Sequence, residues 1–279
     1  MSNDALRAAI DDGDVAAVRA LVNSRPAAAT EDVSWDDGRG AQLSSAPIGY
    51  VALARFHGRY HHDRAGELAL ALLDGGAPVE GAPDARETPL VTAASYNEPE
   101  VAQALIARGA DLTGKGYAAP GGSALAHATF FGNGDMAALL VAAGAPVRSL
   151  AEAVGAGRLE HSQLASATPD EHVNALRTAA VCDRPEAIDW LLDAGVDVNA
   201  SNYIDGADGG TALHWAAWHG KVKACRRLVQ RGADPEQRDQ SFNGTPLDWC
   251  RVRRARLFTP SPGHDAVETY LYATASGVE

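Results

Sequence analysis

The chain has 279 residues, of which 46% are hydrophobic and 22% charged, a composition that excludes global disorder. Its 36 acidic residues outnumber 24 basic ones for a net charge of −12, so the surface as a whole is unsuited to nucleic acid or an anionic membrane. Alanine is the outlier at 56 residues, a density of small helix formers that points to closely packed helices.

In chain order, residues 1–34 carry a two-helix pattern with a turn at Gly13, as expected of an N-terminal cap. Residues 35–87 contain GYVALARFHG and LALALLDGG, a helix pair with extra residues 59–64 (RYHHDR) between its members. Residues 88–147 hold two regular helix pairs, opening at Thr88 (TPLVTAASYNEPE) and at Ser123 (SALAHATFFGNGD). Residues 148–173 are the poorest copy, without a clear end to a second helix. Residues 174–250 return to the pattern at Asn174 (NALRTAAVCDRPE), Thr211 (TALHWAAWHGKVK) and Thr245 (TPLDWC). An enlarged turn, Asp205 to Gly210 (DGADGG), precedes Thr211 and lacks the ligand alternation of a calcium loop. Residues 251–279 predict a long loop (TPSPG) and a capping helix ending near Ala275.

Two landmarks recur. A turn residue sits at Asn97, Gly132, Asp183 and Gly220, and a closing glycine twelve residues later at Gly109, Gly144, Gly195 and Gly232. Fixed spacing with varied residues marks a repeated supersecondary unit. Thr or Ser at each start is a helix N-cap, often followed by Pro, which the first helical position tolerates. In the second helices, Ile188, Leu191 and Leu192 form one buried stripe, and Val222, Cys225 and Val229 form another. The closing glycine supplies the left-handed residue that stops the helix.

These features resemble the ankyrin repeat, whose signature is T-P-L-H-x-A at a period near 33 residues. Thr211 to Ala216 (TALHWA) matches best, while Thr88-Pro89-Leu90 and Thr245-Pro246-Leu247 keep the first three positions. The resemblance covers residues 88–147 and 174–250 most strongly. It implies an all-α solenoid over the whole chain, with short hairpin fingers and helical caps, that recognises a protein partner through a concave face. It also implies a structural role for His214, tying the turns of neighbouring repeats together.

By the same resemblance, the slots on the concave side are rich in rings. His57, Tyr96, Phe130, Phe131, Trp215, Trp218, His219 and Trp249, with Arg253 beside them, form the candidate binding groove. Aromatics with an adjacent Arg are what binding hot spots use. Trp215 and Trp249 are equally suited to packing between helices.

Three other chemistries are weighed against that. His127 and Glu152 occupy equivalent slots of adjacent repeats and suit an acid–base pair, which makes a small-molecule ligand or an enzyme the alternative function. His57, His61 and His62 offer a metal pair if the helix continues through them, but no third ligand is assignable, so no metal or cofactor is expected. From Lys221 to Arg256 ten basic residues face four acidic ones, a local +6 on a body of −18, suited to orienting an acidic partner or to a solvated outer face.

The longest apolar run, residues 136–143, is far short of the about 20 that span a bilayer, so no membrane is expected. The acidic start (MSNDALRAAIDDGD) has no secretory pattern. Cys182, Cys225 and Cys250 lack zinc spacing and suit a reducing compartment, which together predict a cytoplasmic protein. Only three of the 24 basic residues are Lys, a usage typical of a high-GC bacterial genome.

Overall fold

A computed structural model describes residues 3–36, 40–83, 85–114, 116, 119, 122–201, 209–257 and 260–276. Most of the enlarged turn expected at residues 205–210 lies outside the described residues. The chain divides into two compact units, residues 1–127 with 142–146, and residues 128–141 with 147–279.

The first unit opens with α1 (Asp4–Asp11) and α2 (Val15–Ser24), then a single 3-10 turn. A two-stranded antiparallel hairpin follows, β1 (Val33–Asp36) against β2 (Gln42–Ser45), with Val33 opposite Ser45 and Trp35 opposite Leu43. Next come α3 (Pro47–Leu53), α4 (Ala65–Asp74), α5 (Pro89–Tyr96) and α6 (Pro99–Ala107), with α7 (Ala124–Phe130) at the division. The second unit continues with α8 (Gly134–Ala142), α9 (Leu150–Gly155), α10 (His161–Ser166), α11 (Pro169–Val181), α12 (Pro185–Asp193), α13 (Ala212–Trp218), α14 (Val222–Gln230), α15 (Pro246–Arg254) and α16 (Pro262–Ser276).

The repeat landmarks have one conformational cause. All eight sit at positive φ, from 55° at Asp183 to 101° at Gly144. Glycine adopts that region without steric cost, and Asn and Asp tolerate it through short polar side chains. Each pair of helices is therefore bounded by two left-handed residues twelve positions apart. Thr88, Ser149, Thr168 and Thr245 cap α5, α9, α11 and α15, each hydroxyl accepting an amide of the first turn.

In the second unit the first helices of successive repeats pack side by side in the order α9, α11, α13, α15, and the second helices in the order α12, α14, α16. The core between these two layers is narrow and rich in alanine. Ala175, Ala179, Ala180, Ala212, Ala216 and Ala217 are buried with Leu176, Ile188, Leu191, Leu213 and Leu228. Leu192, Val222 and Val229, expected in the buried stripes, are only partly buried against that core. In the first unit Leu68, Leu72, Leu90, Leu105 and Leu125 are fully enclosed.

Three local features depart from the expectation. The hairpin of residues 33–45 stands where no strand was expected, held by burial of Val33 and Trp35 on alternate positions. The weak copy does have a second helix, α10, but it buries none of its residues. The next helix starts at Pro169 rather than near Asn174, because Thr168 and Glu171 close a reciprocal capping box. Cys182, Cys225 and Cys250 are free and buried. Among the described residues no helix is long and apolar enough to cross a membrane.

Candidate functional site

In the first unit α3 ends at Leu53 and residues 54–58 form a turn, with Gly58 at φ 65°. That break separates His57 from His61, so the one-face pairing that a metal site requires is absent. His57 instead joins a ring cluster with Trp35 at 6.1 Å, Phe56 at 5.5 Å and Tyr96 at 6.3 Å. The inserted segment folds back onto α1 and α3 through Tyr60 and His62, while His61, Asp63 and Arg64 are exposed. Tyr60 is buried and donates to the Val51 carbonyl at 2.7 Å, and His62 stacks on Tyr60 at 4.2 Å. His62 Nε2 lies 2.9 Å from the Ile10 carbonyl. Among the described residues no three His, Cys, Asp or Glu side chains come together as metal ligands.

His127 is fully buried, its Nδ1 2.9 Å from Ser95 Oγ. Because Ser95 Oγ already donates to the Val91 carbonyl, Nδ1 carries the proton and donates to that oxygen. Burial pushes the imidazole pKa down to about 4. Glu152 is buried in the second unit, where its carboxylate accepts the Arg148 amide at 2.6 Å at the start of its own helix. Each has local work that explains its burial.

The second unit holds a longer assembly. Phe130 and Phe131 meet edge to face at 5.1 Å at the end of α7. The guanidinium of Arg177, on α11, lies 5.4 Å from the Phe130 ring and 5.3 Å from the Trp215 ring. Trp215 meets Trp249 at 5.2 Å, Trp249 meets Trp218 at 5.9 Å, and Arg253 lies over Trp218 at 5.5 Å. Rings and guanidinium groups thus form one connected series across α7, α11, α13 and α15. Each contact is of the type that contributes about 0.5–2 kcal/mol.

The members differ in exposure. Trp249 is buried and its indole N–H donates to Asp239 at 3.0 Å, so it supports the surface from beneath rather than lining it. Phe130, Phe131, Trp215, Trp218 and Arg253 are half-buried. His219 lies within 6.4 Å of the Trp215 ring, and its pKa is pushed down to about 3, first by burial and then by Lys221, Arg253, Arg177 and His264. His214 fills the structural slot, its Nδ1 at Thr211 and its Nε2 3.1 Å from the Gly244 carbonyl.

Arg177 was missed at the level of sequence. It holds the fourth position of its repeat (Asn174-Ala175-Leu176-Arg177), the position His214 holds in Thr211-Ala212-Leu213-His214. That signal was available, since a charged group stands where a turn-tying imidazole is expected.

The outer basic residues behave differently. Arg227 and Arg231 pair with Asp189, Arg231 also with Asp193, and Arg251 and Arg254 with Glu268. The local +6 is therefore largely neutralised on the second-helix side and at the C-terminal cap.

Family models for ankyrin repeats match residues 150–239, as three copies, and residues 85–114. The chain is an ankyrin-repeat protein. Its curated relatives align over short stretches only. Palmitoyltransferase AKR1 of Lachancea kluyveri is 38% identical over 74 residues, 26% of this chain and 10% of that protein. Protein phosphatase 1 regulatory subunit 12A of Mus musculus is 45% identical over 62 residues, 22% of this chain and 6% of the other. Protein PhlB of Serratia liquefaciens is 35% identical over 78 residues, 28% of this chain and 33% of the other. The chain thus spans a third or less of these relatives. Among solved structures, the human ASB11 ankyrin repeat domain is similar at 19% identity and a TM-score of 0.42, covering 94% of this chain and 95% of that one. The Bcl-3 ankyrin repeat domain gives 22% identity and the same TM-score, covering 96% and 97%. Ankyrin repeats generally mediate protein–protein interaction, and the ankyrin-repeat protein described here has the residue types for it.

Proposed function

We propose that this ankyrin-repeat protein recognises a protein partner, and that the ring and guanidinium surface of its second unit makes the decisive contacts. The observation that carries this is the chain of contacts Phe130, Arg177, Trp215 and Trp218, Arg253 on α7, α11, α13 and α15, with buried Trp249 packed against both Trp215 and Trp218. Half-buried aromatic and Arg side chains on rigid helices lose little freedom on binding, which is why they dominate interface energetics. His57 and Tyr96 in the first unit, with Phe56 exposed beside them, form a smaller surface of the same type. An enzymatic role for His127 and Glu152 has less support, because burial and local hydrogen bonds occupy both.

The test is capture of binding species from lysate by the wild-type chain and by Phe131→Ala, Trp218→Ala and Arg227→Ala, each checked for folding by circular dichroism. Loss of the same species with both aromatic variants, and its retention by Arg227→Ala, is the expected result. Retention by both aromatic variants with loss by Arg227→Ala moves the docking site to the second-helix face.

A further inference from the structure

Arg177 is 6% exposed, and its Nη1 is buried with no hydrogen-bond partner. Its Nε and Nη2 both donate to one oxygen, Asn174 Oδ1, at 3.3 and 3.0 Å. Among the described residues no carboxylate pairs with the guanidinium, and none of the ion pairs includes Arg177, Lys221 or Arg253. A buried, uncompensated charge carries a desolvation penalty of several kcal/mol, so it is retained only where something offsets it. Cation–π contact with Phe130 and Trp215 offsets part of it and leaves Nη1 unsatisfied.

The surroundings share one sign. Lys221 donates its ammonium to the Gly132 carbonyl at 2.9 Å, and Arg253 lies over Trp218. After burial, Lys221, Arg253 and Arg177 all act on His219 to lower its pKa. The contrast with the second-helix side, where Arg227 and Arg231 each find a carboxylate, is local and specific. A further contrast comes from the equivalent repeat position, where the far nitrogen of His214 reaches the Gly244 carbonyl.

We propose that Arg177 is the anchor for an acidic side chain of the protein partner, an Asp or Glu carboxylate inserted between the Phe130 and Trp215 rings, with Lys221 and Arg253 adding to the local positive potential. This rests on the protein-recognition function proposed above and names its chemistry. The carboxylate accepts from Nη1, the nitrogen that lacks a partner, and the residues flanking it in the partner lie against the half-buried rings. Access requires one of those rings to swing, a rotamer change and not a backbone movement. Guanidinium presents a planar donor fork that fits a carboxylate. Against a chain of net charge −12, a local group of cations also helps to set the docking register. Burial pushes the Arg177 pKa down to about 10, which leaves the group charged at neutral pH.

The experiment titrates the full chain with a blocked peptide, acetyl-Leu-Glu-Leu-Glu-Leu-amide, and with its Gln counterpart, following Trp fluorescence and the Arg177 Nε–H resonance, with sodium phosphate as a third arm. The Glu peptide is expected to shift the Arg177 resonance saturably and to weaken as salt is raised. The Gln peptide, and the Glu peptide on Arg177→Met, are expected to bind about thirtyfold more weakly. If Arg177→Met does not fold, the wild-type resonance still decides. Equal binding of Glu and Gln peptides overturns the acidic anchor while leaving the aromatic surface as a binding site. Saturation by phosphate with no response to the Glu peptide, or no response to any probe, also overturns it. So does a loss of stability on Asp205→Asn/Asp208→Asn as large as that on Arg177→Met, which assigns the counter-charge to the chain itself. Partner capture retained by Arg177→Met and lost by Trp218→Ala removes the anchor and keeps the surface; capture retained by both removes both.

Discussion

Acid should weaken the first unit through His127. The imidazole is fully buried, with Nδ1–H donating to Ser95 Oγ. Its other nitrogen faces a wall so close that a Cβ on Gly116 would lie 2.5 Å from Nε2. A proton added there places a charge in a site that water cannot solvate. Burial accordingly moves the pKa from 6.5 in the unfolded chain to about 4 in the folded one. Between those values the unfolded state binds the extra proton and the folded state does not. Stability is therefore full above pH 6.5 and falls as pH drops toward 4, by on the order of 3 kcal/mol for this group. Glu98 works the other way. Its pKa is raised to about 7, chiefly by burial, so the folded state holds its proton, and the stability gained from it is lost as pH rises from 4.5 through 7. Separating the two requires a site-specific readout: the His127 ring followed by NMR from pH 7.5 to 4.5, and urea unfolding of wild type and His127→Gln at pH 7 and pH 5. The wild type should lose more stability between the two pH values than the variant does. A His127 pKa at or above 6, or identical pH slopes for the two chains, refutes the burial argument.

Other outcomes follow from packing and backbone. Leu191→Ala and Leu228→Ala each remove a fully buried side chain from the second unit and should cost about 2–5 kcal/mol in chemical unfolding; a loss under about 0.5 kcal/mol contradicts the helix faces assigned here. Asn97 is exposed at φ 58°, so Asn97→Gly should be neutral or stabilising by up to about 1 kcal/mol and Asn97→Val destabilising. Asp183 shares that backbone at φ 55°, but its carboxylate accepts the Ala224 amide at 2.8 Å, so Asp183→Gly should destabilise in the same assay. Hydrogen exchange should be faster over residues 157–168, where α10 buries nothing, than over residues 211–232; equal protection contradicts a weak point there.

The repeat was legible because its spacing is enforced by backbone conformation. Asn97, Gly132, Asp183 and Gly220 differ in side chain but share a left-handed φ, so the landmark survives where the signature does not. The caps were legible for the same local reason. What escaped depends on contacts distant in sequence. The hairpin at residues 33–45 forms because Trp35 finds Tyr50 at 4.8 Å, and nothing in QLSS announces a strand. The segment RYHHDR reads as a polar loop, yet Tyr60 and His62 are fixed by Val51 and Ile10, the latter more than fifty positions away. The early start of α11 is a different case, since Thr168 and Glu171 are a capping box visible in the sequence. Of the candidate groove, the ring positions were readable from repeat slots. Arg177 was visible only as a charged residue in a slot that the family gives to a structural group, and its burial without a partner for Nη1 is what sets it apart.

The most direct test of partner recognition through the second unit is site-specific photo-crosslinking in cells. A Phe131→p-benzoylphenylalanine chain places the probe among the half-buried rings, and a Lys223→p-benzoylphenylalanine chain places it on exposed α14. A partner crosslinked from position 131, lost on adding Trp218→Ala and absent from position 223, is the result predicted. A partner crosslinked from position 223 and not from position 131 contradicts it.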